Sequence, residues 1–199
     1  MTGEEFPHNA AAKQQLRTRV LDARAALTAA ELATTAELIA DHVDALLDRG
    51  PCLAAYVSMG SEPGTDVLLT RVWARGVRVL LPVLLPDNDL DWATYEGPGS
   101  LAAAGRGLRE PRTPLLGVDA ITDADLVLVP GLAVSRDGVR LGRGGGSYDR
   151  ALARIARVRP PIPTMVALHP GEVGLAVPAE PHDRTVNLVV TREGVTRPG

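Results

Sequence analysis

The segment Arg140-Leu-Gly-Arg-Gly-Gly-Gly-Ser-Tyr-Asp-Arg150 gathers in one stretch what is needed to hold a phosphate. Glycines let backbone N–H groups come close to an anion, arginines supply charge, and the start of a helix adds a partial positive dipole. Asp149 sets a carboxylate beside that anion, where a magnesium ion carried on a nucleotide could be held. The segment lacks the Gly-Lys-Ser/Thr ending of a P-loop. Gly142-Arg-Gly144 begins a dinucleotide fingerprint, but Ser147 takes the position of its last glycine. The local pattern leaves one alternative open, a mobile glycine loop with no ligand.

Such a turn works only if rigid elements aim it. Residues 125–131 upstream form an apolar run that reads as a buried parallel strand, and residues 151–158 downstream place Leu152, Ile155 and Ala156 at helical spacing. Residues 9–26 predict an amphipathic helix with Leu16, Val20 and Leu27 on one stripe and Lys13, Arg17 and Arg24 nearby. Thr28-Ala-Ala-Glu31 is a capping box opening a second helix to about Arg49, where Gly50-Pro51 stops it. Residues 53–58 read as the first strand and 59–64 as a loop, after which Thr65 caps a helix to Arg75. Further strands are expected at 77–81, at 90–95 on an edge, at 164–168 and at 186–191. Residues 98–114, rich in Gly and Pro without a period, read as loop with one helical turn at most.

Strands alternating with helices imply right-handed crossovers and a mainly parallel sheet covered on both faces. Sites in such sheets collect at the carboxyl ends of strands. The Met59 loop, the Gly142 turn and the segment from His169 to Asp183 each follow a strand, so all three can face one crevice.

Composition narrows the partners. At 199 residues, with 45% hydrophobic and 23% charged side chains, the chain suits a single domain over 1–199, with 1–8 and 193–199 expected as flexible tails. A net charge of −3 gives no global basic field for nucleic acid or an anionic membrane, so positive charge must be local. One cysteine, Cys52, excludes an internal disulfide, fits a reducing compartment and reads as a buried structural thiol. No signal core and no membrane-length apolar stretch is present, which makes the cytoplasm the expected location. Lys13 is the one lysine among 21 basic residues, which marks it out; a solvated helix face is the plain alternative.

Val129-Pro-Gly131, followed by Gly138-x-Arg140-Leu-Gly-Arg-Gly-Gly-Gly-x-Tyr148-Asp149, closely resembles the signature of the 5-formyltetrahydrofolate cyclo-ligase (5,10-methenyltetrahydrofolate synthetase) family. Lys13-Gln-Gln-Leu-Arg17 with Arg24 resembles its N-terminal helix, and Tyr56-Val-Ser-Met-Gly-Ser-Glu62 with Thr65 its substrate loop. Gly107-Leu-Arg-Glu-Pro111, the stretch 178–183 and the stretch 186–191 resemble later motifs, in the right order. Departures fall at Gly145, where some members have lysine, and at Ser147, Val134-Ser135, Arg106 and Asn187, where Tyr, Phe-Asp, an aromatic residue and Asp are usual.

The resemblance implies a three-layer α/β/α fold akin to sugar-phosphate isomerases. It implies ATP- and magnesium-dependent cyclisation of 5-formyltetrahydrofolate to 5,10-methenyltetrahydrofolate, with ATP as co-substrate, Mg2+ as metal and folate as substrate. By the same resemblance Lys13 and Arg17 hold ATP phosphates, joined by Arg140, Leu141, Gly142, Arg143, Gly144, Gly145, Gly146, Ser147 and Tyr148. Met59, Glu62 and the stretch Arg143 to Ser147 line the folate side, Arg143 stabilises charge on the transferring group, and Asp149 and Asp183 bind magnesium. Read alone, Glu62 is equally a surface loop glutamate, and His169 and His182 are solvated loop histidines before they are proton carriers. A monomer or weak homodimer is expected. Two rivals remain at this stage: a sugar-phosphate isomerase-like or acyltransferase-like enzyme needing no ATP, and a non-catalytic nucleotide- or folate-binding module.

Overall fold

The computed structural model describes residues 5–47, 52–181 and 183–199. In chain order, α1 (Glu5–Ala25) and α2 (Ala29–Asp44) precede β1 (Cys52–Ala54), and α3 (Asp66–Ala74) leads into β2 (Arg78–Leu84) and β3 (Leu90–Thr94). A hairpin of β4 (Leu101–Ala103) and β5 (Arg109–Pro111) comes next, then β6 (Leu126–Pro130) and a second small hairpin of β7 (Ala133–Val134) and β8 (Arg140–Leu141). The chain finishes with α4 (Ser147–Ile155), β9 (Thr164–Ala167), β10 (Leu188–Thr191) and β11 (Gly194–Thr196).

Across the main sheet the order is β11-β10-β9-β6-β1-β2-β3. From β10 to β2 every pairing is parallel, and antiparallel β3 and β11 close the two edges. The period of two divides each buried strand between two cores. Leu53, Val79, Leu81, Leu128, Met165 and Val190 face Ile39, Val43, Leu68 and Val72 of α2 and α3. Ala54, Leu80, Val127, Val129, Val166 and Val189 face Ala151, Leu152 and Ile155 of α4, with Ile121 of a 3-10 segment. The result is the three-layer α/β/α arrangement. A third cluster of Leu16, Val20, Leu132, Leu141 and Val177 docks α1 onto the β7–β8 hairpin.

β1 continues outward to β2, whereas β6 continues to β9 and β10, so the order reverses between β1 and β6. Loops leaving those two strands diverge, and the crevice between them is where open α/β sheets take ligands.

Several expectations change. β1 leaves the ladder after Ala54, and β2 runs on to Leu84 because Pro82 lies beyond the last β1 pairing, at Leu80, where it needs to donate nothing. Residues 98–114 hold the β4–β5 hairpin, fixed by Leu84 N–H donating to Glu110 Oε1 at 2.9 Å. Strands of three residues, Leu-Ala-Ala and Arg-Glu-Pro, carry no period to read. α2 ends at Asp44, short of Arg49, and the Gly50-Pro51 stop lies outside the described residues. The Thr28–Glu31 capping box forms, but Thr65 does not cap α3 with its side chain. Its hydroxyl donates instead to Tyr56 O at 2.7 Å. Residues 194–196, expected within a tail, pair with β10 as an edge strand.

Candidate active site

The glycine turn sits as the sequence suggests, between β8 and the start of α4. Gly146 enters the helix at φ +70°, a left-handed conformation that glycine adopts without strain, and α4 begins at Ser147, earlier than the expected 151. The first helical N–H groups have no partner within the helix and point out of its start. Arg140 lies beneath the turn, donating to Pro130 O at 3.0 Å and Asp149 Oδ1 at 3.1 Å, with its guanidinium 5.7 Å from the Tyr148 ring centroid. A side chain at Gly142 would put its Cβ 2.7 Å from that guanidinium, so the turn rests directly on Arg140. Burial pushes the Tyr148 hydroxyl pKa well up, keeping it neutral.

α1 brings its cations to the same place, though not on a solvated face. Its buried stripe is Lys13, Leu16, Val20 and Arg24, and the expected Leu27 lies beyond the helix end, only partly covered. Lys13 Nζ is 2.5 Å from Glu180 Oε2 and 2.6 Å from Asp183 Oδ2. Burial pulls its pKa down, but the hydrogen bonds to Asp183 and Glu180 prevail and leave it raised. Arg17 Nε donates to Gly142 O at 2.9 Å, bracing the turn from the side of α1.

The loop after β1 forms the facing wall. It is closed on itself: Ser58 N–H donates to Thr65 Oγ1, Glu62 N–H to Met59 O and Met59 N–H to Glu62 Oε2, each at 3.0 Å. Glu62 is buried, at 8% exposure, and not a surface glutamate; its Oε1 accepts Arg143 Nε at 2.9 Å. Between the walls lies a cleft of about 360 Å3, lined by Lys13, Arg17, Met59, Glu62, the whole turn from Arg140 to Asp149, and Asp183. Pro82, Leu84, Leu90 and Leu108 give it an apolar side.

All the sequence-predicted site residues therefore meet at one cleft, His169 and His182 apart. His182 lies outside the described residues. His169 is buried at 4% exposure, contrary to the solvated reading, because its ring packs under the loop after β1 with Nε2 3.0 Å from Ser61 O. Sequence reasoning missed Glu180 as a partner of Lys13, and Arg109 and Glu110, which also line the cleft. All three fall inside matched motifs, which was the available signal. Departures from the family pattern have structural tasks: Ser135 Oγ accepts Val139 N–H at 3.0 Å, Asn187 Oδ1 accepts Thr164 N–H at 3.0 Å, and Arg106 donates to Asn88 Oδ1 at 2.9 Å.

A glycine-rich cationic turn before a helix N-terminus, at the switch point of a parallel sheet, is the arrangement with which α/β domains commonly take up phosphates. Residues 9–192 match the 5-formyltetrahydrofolate cyclo-ligase family, and the chain belongs to it. The 5-formyltetrahydrofolate cyclo-ligase of Mycolicibacterium smegmatis is 42% identical over 90% of this chain and 93% of that protein. That of Haemophilus influenzae is 30% identical over 72% of this chain and 79% of its own. Among solved structures, the 5,10-methenyltetrahydrofolate synthetase of Aquifex aeolicus superposes with a TM-score of 0.77 at 25% identity, covering 93% of this chain and 92% of that one.

Proposed function

We infer that the chain converts 5-formyltetrahydrofolate and ATP to 5,10-methenyltetrahydrofolate, ADP and phosphate. An amide oxygen is a poor leaving group. The formyl oxygen attacks the γ-phosphorus and ADP departs; the N10 amine then attacks the formyl carbon, loses its proton, and the oxygen leaves as phosphate. Protein catalysis of such a transfer is positioning plus charge neutralisation. The observation that carries the reading is the Arg143–Glu62 contact at 2.9 Å, which sets the phosphate-gripping turn against the loop assigned to folate.

On this reading Lys13, Arg17 and the turn from Arg140 to Tyr148 hold the triphosphate, and Arg143 faces the transferring group. Met59 and Glu62 take the pterin and formyl end, with the backbone from Arg143 to Ser147 between the two substrates. Among the described residues no three His, Cys, Asp or Glu side chains converge on a metal cage. Asp149 and Asp183 instead suit magnesium arriving on the nucleotide, which needs only one or two protein carboxylates besides phosphate oxygens. Bound there, the ion would offset charge on the β- and γ-phosphates.

Mixing the protein with ATP, magnesium and 5-formyltetrahydrofolate should produce methenyl-folate absorbance with equal amounts of ADP and phosphate. Nucleotide binding without that absorbance would sink the enzymatic reading and leave a binding module.

A further inference from the structure

His169 has no part in the roles assigned above, yet it is one of the most buried polar residues of the chain. Its Nε2 faces Ser61 O at 3.0 Å, and a carbonyl only accepts, so Nε2 carries the hydrogen. Its own N–H donates to Glu172 Oε2 at 2.8 Å. Glu172 in turn receives Arg24 twice, Nε to Oε1 and Nη2 to Oε2, both at 2.7 Å, and the same Nη2 donates to Gly131 O at 2.7 Å. Arg24 is 1% exposed and Glu172 6%. One buried unit thus joins α1, the end of β6, the turn after β9 and the loop after β1.

Burying an ion pair costs several kcal/mol per ion and is weak evidence for stability; its best-attested return is a fixed geometry. Here the geometry concerns the next residue along. Ser61 precedes Glu62, whose carboxylate holds Arg143 on one oxygen and Met59 N–H on the other. Most of the loop's other bonds, such as Tyr56 OH to Pro63 O at 3.0 Å, are internal and set its shape, while Ala55 N–H to Leu80 O at 2.9 Å and Arg109 Nη2 to Ser58 O at 3.5 Å tie it to the near half of the sheet and the β4–β5 hairpin. The His169–Ser61 bond spans 108 residues of sequence and moors that shape to the far half of the sheet.

We propose that His169 is a positioning residue, holding Ser61 so that Glu62 and Arg143 stand in register at the folate side of the cleft. Arg24 and Glu172 hold His169 from behind, and Arg24 registers α1, with Lys13 and Arg17, to the same frame. Burial keeps the imidazole pKa below its ordinary value, against the opposing pull of Ser61 and Glu172, with Arg24 and Arg192 adding to the lowering. The neutral ring is therefore the form at work near neutral pH. The inference rests on the assignment of Glu62 and Arg143 to the substrates.

Nitrogen NMR of the histidine-labelled wild-type chain should find His169 as the Nε2–H tautomer. An Nδ1–H tautomer would set two acceptors face to face and overturn the proposal, with no variant needing to fold. In kinetics, His169→Gln keeps an N–H with roughly the reach of Nε2, and His169→Asn does not. The Asn variant should lose about 10- to 100-fold in kcat/KM for the folate, the scale of an ångström of misplacement. KM for ATP should stay within about twofold, and Gln should recover most of the loss. In a Glu62→Gln background the gap between Gln and Asn should close, as coupled sites require. Equal rates for the two variants, or an undiminished gap in that background, would defeat the proposal. Wild-type protein making no methenyl product would remove the assigned activity instead, and the tautomer would still decide the bond.

Discussion

Arg143 separates charge from packing. Its side chain is 53% exposed and its ion-pair partner among the described residues is Glu62. Truncation therefore removes little buried surface but strips a cation from the mouth of the cleft. Arg143→Ala should lower kcat/KM by about 10²- to 10³-fold, the scale of losing one transition-state donor. Melting should drop by less than about 4 °C, since Arg143 is itself half exposed and Glu62, though buried, keeps its Met59 N–H partner, so the pair contributes about 1 kcal/mol or less. Near-wild-type turnover would take Arg143 out of the mechanism. Lys13 makes a different prediction, about pH. Its folded pKa is raised above 10.5, so its ion pairs stabilise fully below that value and fade as pH climbs through the folded pKa. Buried Tyr56 and Tyr148, also held neutral, lose stability over the same alkaline range. The measurement is thus a difference: between pH 9 and 12 the melting temperature of Lys13→Met should fall less steeply than that of the wild type. Equal slopes would show that the pairs contribute nothing. The glycine turn was legible in sequence because its chemistry is contiguous. The Lys13–Glu180 pair, 167 residues apart, and the burial of His169 beside Pro170-Gly171 were not, since only tertiary packing creates them.

At the scale of elements, α4 is too short to hold its place by helix propensity. Burial of Ala151, Leu152 and Ile155 seats it on the sheet. Arg154 then clamps its far end to the turn between β2 and β3, with Nη1 and Nη2 on the two oxygens of Asp89 at 3.0 and 2.5 Å. Because the glycine turn runs directly into α4, this clamp aims the turn from behind. The Arg154 hydrogen bond holds the Asp89 carboxyl below its usual pKa, against burial. Its stabilisation is complete above the unfolded pKa near 3.8 and is lost as pH falls through the lowered folded value. Asp89→Asn should cost about 1.5–3 kcal/mol in urea unfolding at pH 7, as charge-assisted hydrogen bonds do. The gap to wild type should narrow below pH 4; a pH-independent gap would mean the contact is mere packing. The strands that frame the site were readable from their apolar runs, and the capping box from its Thr28 and Glu31. The β4–β5 hairpin was not, because Leu101–Ala103 shows no alternation and its fold depends on Glu110 reaching Leu84.

On the scale of the whole molecule the site is assembled from pieces far apart in the chain, and its charges cancel. Lys13, Arg17, Arg109, Arg140 and Arg143 line the cleft against Glu62, Glu110, Asp149, Glu180 and Asp183. With a net charge of −3 over the chain, no long-range field draws in a polyanion. On the proposed reading a triphosphate entering this cleft would bind by exchanging partners at short range, against the carboxylates that now hold most of those cations. Arg17 stands apart, since among the described residues it forms no ion pair with a carboxylate; on the same reading it would be the natural first anchor. Magnesium on the nucleotide would turn two of those carboxylates, Asp149 and Asp183, from repulsive into attractive groups. The consequence can be read by melting. A ligand at about 100 times its Kd adds about 2.7 kcal/mol, or roughly 5–10 °C for a chain of this size. ATP with magnesium should give a shift of that order, ATP with a chelator much less, and Asp149→Asn should bring the two conditions together. Equal shifts with and without magnesium in the wild type would exclude both aspartates from metal binding, while leaving the cationic turn as the nucleotide's grip.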